Sequence, residues 1–186
     1  MAITISTLPL GVLVDLVNRW GTRPRQEDRR GEEPLPSPDT LADLGLGLTG
    51  QARAGLTKEM LADAADALHP VFAAEDAGTC ARRLTRLLST SGARPALEAA
   101  GADDTLRAVW TVTKTDRALL AAAAVTLRQY LGEHGFGRIG VCTGGHCADV
   151  YIDQSPGGRR RFCSVTCQNR ARVAAFRSRR TKAAAK

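Results

Sequence analysis

The chain has 186 residues, of which 44% are hydrophobic and 24% are charged. This length excludes a large multidomain enzyme, and this composition excludes a chain that is disordered throughout. The net charge of +7 is unevenly distributed, because residues 138–186 carry 11 basic and 2 acidic residues whereas the first 137 residues carry 15 basic and 17 acidic ones. The basic tail predicts a polyanionic partner, nucleic acid before an anionic membrane surface, and a merely solubilising tail is the alternative.

Helices are expected to dominate the fold. Only 4% of the residues are aromatic, so Ala and Leu must fill most of the core, which favours closely packed helices. Apolar residues at helical spacing predict a first helix over Leu10–Trp20. Residues 21–39 hold four prolines among dense charges, and they predict a surface loop without a helix or strand.

Two helix starts follow this loop. Asp39 is expected to cap a short helix through Leu41 and Leu44, which the glycines of residues 45–50 close. Thr57 is expected to cap a longer helix. The inner face of that helix is predicted to consist of Leu61, Ala64, Ala65 and Leu68.

The middle of the chain combines a further helix with a strand. Pro70 is expected to start another helix, which ends near Gly92. Over residues 105–113 the pattern changes to alternation between two faces, which predicts a half-buried strand. Its inner residues are Leu106, Ala108, Trp110 and Val112.

The last helix of this part is expected to be capped by Thr115 or Asp116 and to end before Gly132. Closely spaced glycines then indicate a boundary. We therefore predict a helical domain over residues 1–135 and a small second domain over residues 136–186. A tail of this size needs a covalent or metal staple, since it is too small to fold on apolar burial alone.

Four of the five cysteines supply that staple. Two close pairs, one bracketing four residues and the other three, are separated by 15 residues. In a reducing cytoplasm, where we expect the protein to reside because no secretory leader or membrane span is apparent, such pairs indicate a metal site rather than disulfides. Four thiolates satisfy one tetrahedral Zn(II) without an open position. The predicted ligands are Cys142, Cys147, Cys163 and Cys167.

The remaining candidates for chemistry receive simpler interpretations. His146 could replace a thiolate, but with four cysteines the ligand set is full, so we expect a residue outside it. Cys80 stands alone and is expected to be a small core residue rather than a nucleophile. No catalytic pair or phosphate-binding loop is evident, and we expect no enzymatic activity.

The rest of the tail predicts a treble-clef-like finger, in which a metal-binding knuckle and a hairpin precede a helix. Residues 148–153 and 159–162 flank a Pro-Gly-Gly turn and predict two paired strands. Ser164 is expected to cap a long helix with Cys167 in its first turn. Ala171, Ala174 and Ser178 share the face of Cys167, so they are expected to pack against the hairpin.

The opposite face of this helix predicts an interface for double-stranded DNA. Val173 and Phe176 lie there between rows of arginines, and a helix of this kind fits the major groove. The alternative is that Val173 and Phe176 dock on the first domain while the arginines are only solvated. The predicted DNA contacts are Arg159, Arg160, Arg161, Asn169, Arg170, Arg172, Arg177, Arg179 and Arg180.

The finger resembles a known family. The run Arg160-Arg161-Phe162-Cys163-Ser164 and the run Cys167-Gln168-Asn169-Arg170, with Cys142, Cys147, Asp153 and Ser155 before them, are similar to the CGNR zinc finger. Members pair this finger with an N-terminal ABATE domain, whose opening the run LVDLVNRW at residues 13–20 resembles. The sequence departs from the family at Phe162, where Trp is usual, and at Gln168, where the family has Gly. The resemblance implies a bacterial transcription regulator of the stress response.

These observations favour one function and leave another open. We expect a DNA-binding regulator whose first domain senses a small-molecule or protein inducer, with homodimerisation left open. The alternative is a zinc-stabilised module that binds protein or RNA. One Zn(II) per chain is expected in either case.

Overall fold

The computed structural model describes residues 2–28, 30–43, 55–101 and 104–184. The helices are α1 (Leu10–Trp20), α2 (Thr22–Glu27), α3 (Pro38–Asp43), α4 (Lys58–Phe72), α5 (Ala77–Ser91), α6 (Ala118–His134) and α7 (Val165–Ala184). The strands are β1 (Ile3–Ile5), β2 (Arg94–Ala99), β3 (Leu106–Val112), β4 (Ile139–Val141) and β5 (Val150–Ile152). This arrangement of helices with two small sheets confirms the predicted α+β class.

The core forms where α1, α4 and α6 meet. Alanines occupy much of α6, and its residues 121–125 are at most 1% exposed, so neighbouring helices approach it from several sides. The buried hydroxyl of Thr126 donates to the Ala122 carbonyl at 2.8 Å and accepts from the Leu8 N–H at 2.8 Å. The N-terminal segment is thereby held against the central helix.

Helical periodicity identified two of the helices, and a glycine marked the end of a third. The predicted helix over Leu10–Trp20 is α1, and the predicted inner face of α4 is buried. Thr57 caps α4 as expected, since its hydroxyl accepts from the Met60 N–H at 3.3 Å. The predicted end of α5 is also confirmed, because Gly92 follows it with φ of 74°, a conformation that favours glycine.

Prolines end helices less often here than the sequence suggested. The predicted loop over residues 21–39 contains α2, with Pro24 as its third residue. In a first turn the missing N–H of proline removes no helical hydrogen bond, so the expectation of an unbroken loop was wrong. Pro70 likewise lies inside α4 and starts no new helix. The next helix is α5, which Asp76 caps through the Thr79 N–H at 2.8 Å.

Two further helix ends differ from the expectations. Asp39 lies inside α3, and the hydroxyl of Ser37 accepts from its N–H at 3.3 Å in the place of the predicted cap. Leu44 and the glycines of residues 45–50 lie outside the described residues. No side chain caps α6, since a 3₁₀ turn over Thr115–Arg117 leads into it. It continues through Gly132 and ends at Gly135, whose φ is 79°.

The larger sheet has the antiparallel order β1-β3-β2. The predicted strand is β3, and its partners β1 and β2 were missed. Leu97 pairs with Ala108 on the face that continues from the core, yet Leu97 and Leu106 are 67% and 64% exposed. The outer end of this hairpin therefore extends beyond the helices.

Candidate metal centre and basic helix

The four predicted cysteines meet at one point. Their Sγ atoms all lie within 4.8 Å of one another. Cys163 Sγ is 3.7 Å from Cys147 Sγ and 3.5 Å from Cys167 Sγ. A tetrahedral zinc ion with Zn–S bonds of about 2.3 Å holds its sulfurs about 3.8 Å apart, so the spacing fits Zn(II). These residues form a four-cysteine zinc-binding site, and zinc bound there supplies structural cross-linking without an open coordination position.

Three local structures deliver these thiols. Cys142 follows β4 directly, Cys147 lies three residues before β5, and Cys167 lies in the first turn of α7. Ser164 caps α7 as predicted, because its hydroxyl accepts from the Cys167 N–H at 3.2 Å. The Gly144 N–H points at Cys142 Sγ from 3.4 Å, which favours the thiolate form that a metal requires.

Burial disfavours the charged thiolate form of these cysteines, so their ionisation depends on a bound cation. Burial raises the pKa of Cys147 to about 12 and also raises the pKa of Cys163. Burial acts in the same direction on Cys142, but the N–H groups of Cys163 and Gly144 and the thiols of Cys163 and Cys147 together outweigh it and lower the pKa of that thiol. Zinc binding therefore has to release protons, and the stability of the finger is coupled to the metal.

The second cysteine pair reaches the site without the predicted strand. Residues 159–162 form no strand, and β5 pairs instead with β4. The Arg160 N–H donates to the Asp153 carboxylate at 2.8 Å, so this backbone is committed to a side chain rather than to a ladder. Thr143 joins the two cysteine pairs, since its N–H donates to the Arg161 carbonyl at 2.9 Å.

Arg160 organises this segment. Its guanidinium donates to the carbonyls of Ile152 at 3.2 Å, Phe162 at 2.9 Å and Cys163. It also lies 5.8 Å from the centre of the Tyr151 ring. The side chain thereby ties β5 to the backbone that carries the third zinc ligand. The sequence predicts Arg160 only as a DNA contact, and no local pattern indicates this internal role.

Long-range hydrogen bonds hold the zinc site on the helices. The Asn18 amide of α1 accepts from the Val150 N–H at 2.7 Å and donates to the Val150 carbonyl at 3.1 Å. The buried His69 ring of α4 contacts the Ala148 carbonyl at 2.9 Å through Nε2. The Tyr130 hydroxyl of α6 donates to the Asp153 carbonyl at 2.9 Å. The zinc-binding hairpin and the helices therefore share one packed core, which includes Val150 and Ile152 of β5. The predicted division at residue 136 stays a prediction.

Only the beginning of α7 packs against the finger. Cys167 is buried and Ala171 is half-buried, but Ala174 and Ser178 are exposed, so the predicted packing of the last two was wrong. Val173 and Phe176 are 50% and 54% exposed, and among the described residues they belong neither to the core cluster nor to the side chains packed against it. The helix projects into solvent because its later turns carry too little apolar surface to bury.

The projecting helix displays most of the predicted DNA contacts. Arg180 lies 5.9 Å from the centre of the Phe176 ring, close enough for a cation–π contact. The predicted contacts with exposed side chains are Arg159, Arg160, Arg161, Asn169, Arg170, Arg172, Arg177, Arg179 and Arg180. No acidic residue occurs over residues 154–186, so the exposed arginines give this surface a positive charge.

His146 and Cys80 fit their simpler interpretations. His146 is exposed and has φ of 57°, so the knuckle holds its backbone in the left-handed region. Cys80 is 3% exposed in the core, where burial raises the pKa of its thiol.

Comparison with known proteins agrees with this geometry. Residues 138–180 match the model of the CGNR zinc finger family. That segment contains all four clustered cysteines. No curated protein matches the chain significantly.

Within the part of the chain that the structure describes, no helix combines the length and apolar character needed to cross a membrane.

Proposed function

We propose that the protein binds double-stranded DNA through α7 and regulates transcription in the bacterial cytoplasm, in the response to stress that the family resemblance implies. The exposed, acid-free surface of α7 carries this proposal. Twenty helical residues span about 30 Å, and the major groove of B-DNA admits a helix along its floor. Arginines on both sides of the helix would then face the two phosphate backbones.

Zinc has a positioning role in this proposal. Cys167 fixes the first turn of α7 to the cluster, while Asn18 and Tyr130 fix the hairpin to the helices. The recognition helix therefore starts from a rigid base, which lowers the conformational entropy lost on binding. The remaining turns stay accessible to the groove.

Salt dependence tests the proposal directly. Zinc-loaded protein should bind a mixed-sequence 24-base-pair duplex at low salt, and the affinity should fall steeply as salt rises because phosphate contacts release counterions. Arg170→Gln should reduce the slope of log K against log salt by about one unit. Arg86→Gln is the matched control, since Arg86 is an exposed helical arginine on α5, away from the finger. Equal slopes for both variants would contradict the proposed interface.

The exposed Val173 and Phe176 favour a second candidate, a protein-binding module, because apolar side chains are what a protein partner would cover. Single-stranded RNA fits less well, since Phe176 is the one aromatic residue over residues 163–186 and bases need aromatic platforms. A zinc-loaded protein without affinity for duplex DNA at low salt would favour the protein-binding module.

We also propose that the first part of the chain, similar to an ABATE domain at its opening, senses an inducer and catalyses no reaction. A cavity of about 460 Å³ lies between α2, α4 and the zinc-binding hairpin. Arg23, His69 and Tyr151 contribute to its lining together with the zinc ligand Cys147, so a molecule bound there would contact both parts. A thermal-shift screen of polar metabolites tests this: Ala73→Trp, which fills the cavity, should abolish the shifts seen with the unsubstituted protein.

A further inference from the structure

Over residues 169–176, one face of α7 carries uncharged side chains that are unusual for a helix so rich in arginine. Arg180 continues this face one turn later, with its guanidinium 5.9 Å from the centre of the Phe176 ring. Asn169, Val173 and Phe176 lie within about 60° of one another around the helix axis. Val173 and Phe176 are half exposed, and the Asn169 side chain is exposed as well. We call these three residues the central stripe. Burial in the protein does not explain why these uncharged residues share one face, because none of the three belongs to the core.

The stripe lies between two rows of arginines. Arg170 and Arg177 flank it on one side, and Arg172 and Arg179 flank it on the other. Rows of guanidinium groups on both sides repel a second copy of this helix and attract a partner with two negatively charged rims. The major groove has such rims, and its floor is where an uncharged stripe between them would lie.

We infer that the central stripe recognises A·T base pairs, with Asn169 reading adenine and with Val173 and Phe176 contacting thymine methyl groups. This inference rests on the proposed DNA binding. An asparagine amide matches the N6 donor and N7 acceptor of adenine, and apolar side chains match the thymine methyl, which no other base presents in the major groove. The stripe thus specifies sequence, while the arginine rows supply affinity for phosphates.

Helix geometry fixes the spacing of these contacts. Asn169 and Phe176 are about 10 Å apart along the axis, and base pairs stack every 3.4 Å or so. Contacts from the stripe should therefore fall within about four consecutive base pairs. The preferred site should contain an adenine at one end of this segment and thymines toward the other, on either strand.

Base analogues test each contact without altering the protein. Selection from a random duplex library with zinc-loaded full-length protein gives the preferred site, which is then made with deoxyuridine in place of each thymine. Deoxyuridine lacks only the methyl group, so each contacted position should weaken binding about fourfold. In the variants Val173→Ala and Phe176→Ala, replacing thymine by deoxyuridine should no longer weaken binding at the base pair that the deleted side chain contacts. Ser178→Ala is the control, because Ser178 is exposed on the opposite side of the helix and should preserve the effect.

Adenine is tested in the same way with 7-deazaadenine, which lacks the N7 acceptor. It should weaken binding by the unsubstituted protein at one position but cause no further loss for Asn169→Ala. That variant should also lose discrimination against other bases there, by about 5- to 150-fold. Zinc content near one per chain verifies that each variant is folded.

The outcomes separate this inference from the proposed function. Duplex binding that selects no site, or a site whose thymines tolerate deoxyuridine, overturns base reading by the stripe and leaves DNA binding intact. Failure to bind any duplex at low salt overturns both. A thymine effect that persists unchanged in Val173→Ala and in Phe176→Ala also overturns the inference, because another side chain would then contact the methyl groups.

Discussion

The hydrogen bonds between Asn18 and Val150 provide the sharpest test of how the zinc-binding hairpin is held. The Asn18 amide pairs with the backbone N–H and C=O of Val150 as a neighbouring strand would, over a separation of 132 residues. The Val150 side chain is fully buried. In Asn18→Ala both backbone groups lose their partners, and Ala can supply neither a donor nor an acceptor.

The expected loss follows from those two groups. A part-buried polar group left without a partner destabilises the folded state by about 1–3 kcal/mol. Water entering the space of the deleted amide recovers some of this, so we expect a loss of about 2–4 kcal/mol in the free energy of unfolding. For a chain of this length that loss lowers Tm by roughly 5–15 °C. Thermal unfolding of the zinc-loaded protein measures it.

A matched control is available at the other asparagine. Asn169→Ala makes the same change on exposed α7 and should alter stability by less than about 0.5 kcal/mol. Hydrogen exchange locates the effect, because the Val150 amide should exchange faster in Asn18→Ala while amides of α5 should change less. A Tm within about 1 °C of the unsubstituted protein, with Val150 still protected, would refute the role assigned to this pairing.

Other predictions concern the metal and its support. Protein purified without added metal should contain about one zinc per chain by elemental analysis, and a zinc-free protein with a folded tail would reject the site. Four thiols should react rapidly with a thiol reagent after chelation, while Cys80 reacts only on unfolding; five rapid thiols would mean that the helical core depends on zinc. Arg160→Lys should release zinc to a chelator faster than Arg159→Lys, since one ammonium cannot serve three carbonyls. Hydrogen bonds from Ser155 and Arg160 lower the pKa of Asp153 below its ordinary value, so its stabilisation is complete above about pH 5 and is lost progressively as the pH falls further. Asp153→Asn should therefore be less stable by a constant amount from about pH 6 to 8, as denaturant titrations would show.

Sequence spacing predicted the zinc site because its constraints are local. Two short cysteine pairs can reach one ion through a knuckle and a helix turn, and the spacing within each pair is directly visible in the sequence. Ser164 and Thr57 were recognisable as caps for the same reason, since each bonds an N–H three residues away. Helical periodicity also sufficed for α1 and α4, whose buried faces repeat regularly.

The missed features depend on partners far along the chain. β2 was missed because its exposed and half-buried residues include Pro95 and Glu98, so pairing with β3 rather than its own composition makes it a strand. Residues 159–162 are the opposite case, since they were predicted to form a strand and form none. Their backbone bonds instead to the Asp153 carboxylate and, through the Arg161 carbonyl, to the Thr143 N–H. No pattern around Asn18 indicates that its amide serves a strand near residue 150.

The departure of this chain from the CGNR pattern at Gln168 gains a physical meaning from the structure. Gln168 lies about 100° around α7 from Asn169, so the position is not part of the central stripe. It is half-buried and lines a concave surface with Arg159, Arg161 and Phe162. A glycine there would allow a phosphate backbone to approach the first turn of the helix more closely. A glutamine instead fills that space and offers an amide, so in the proposed DNA complex the exchange should alter phosphate contacts beside the finger and leave the inferred base reading by the stripe unchanged.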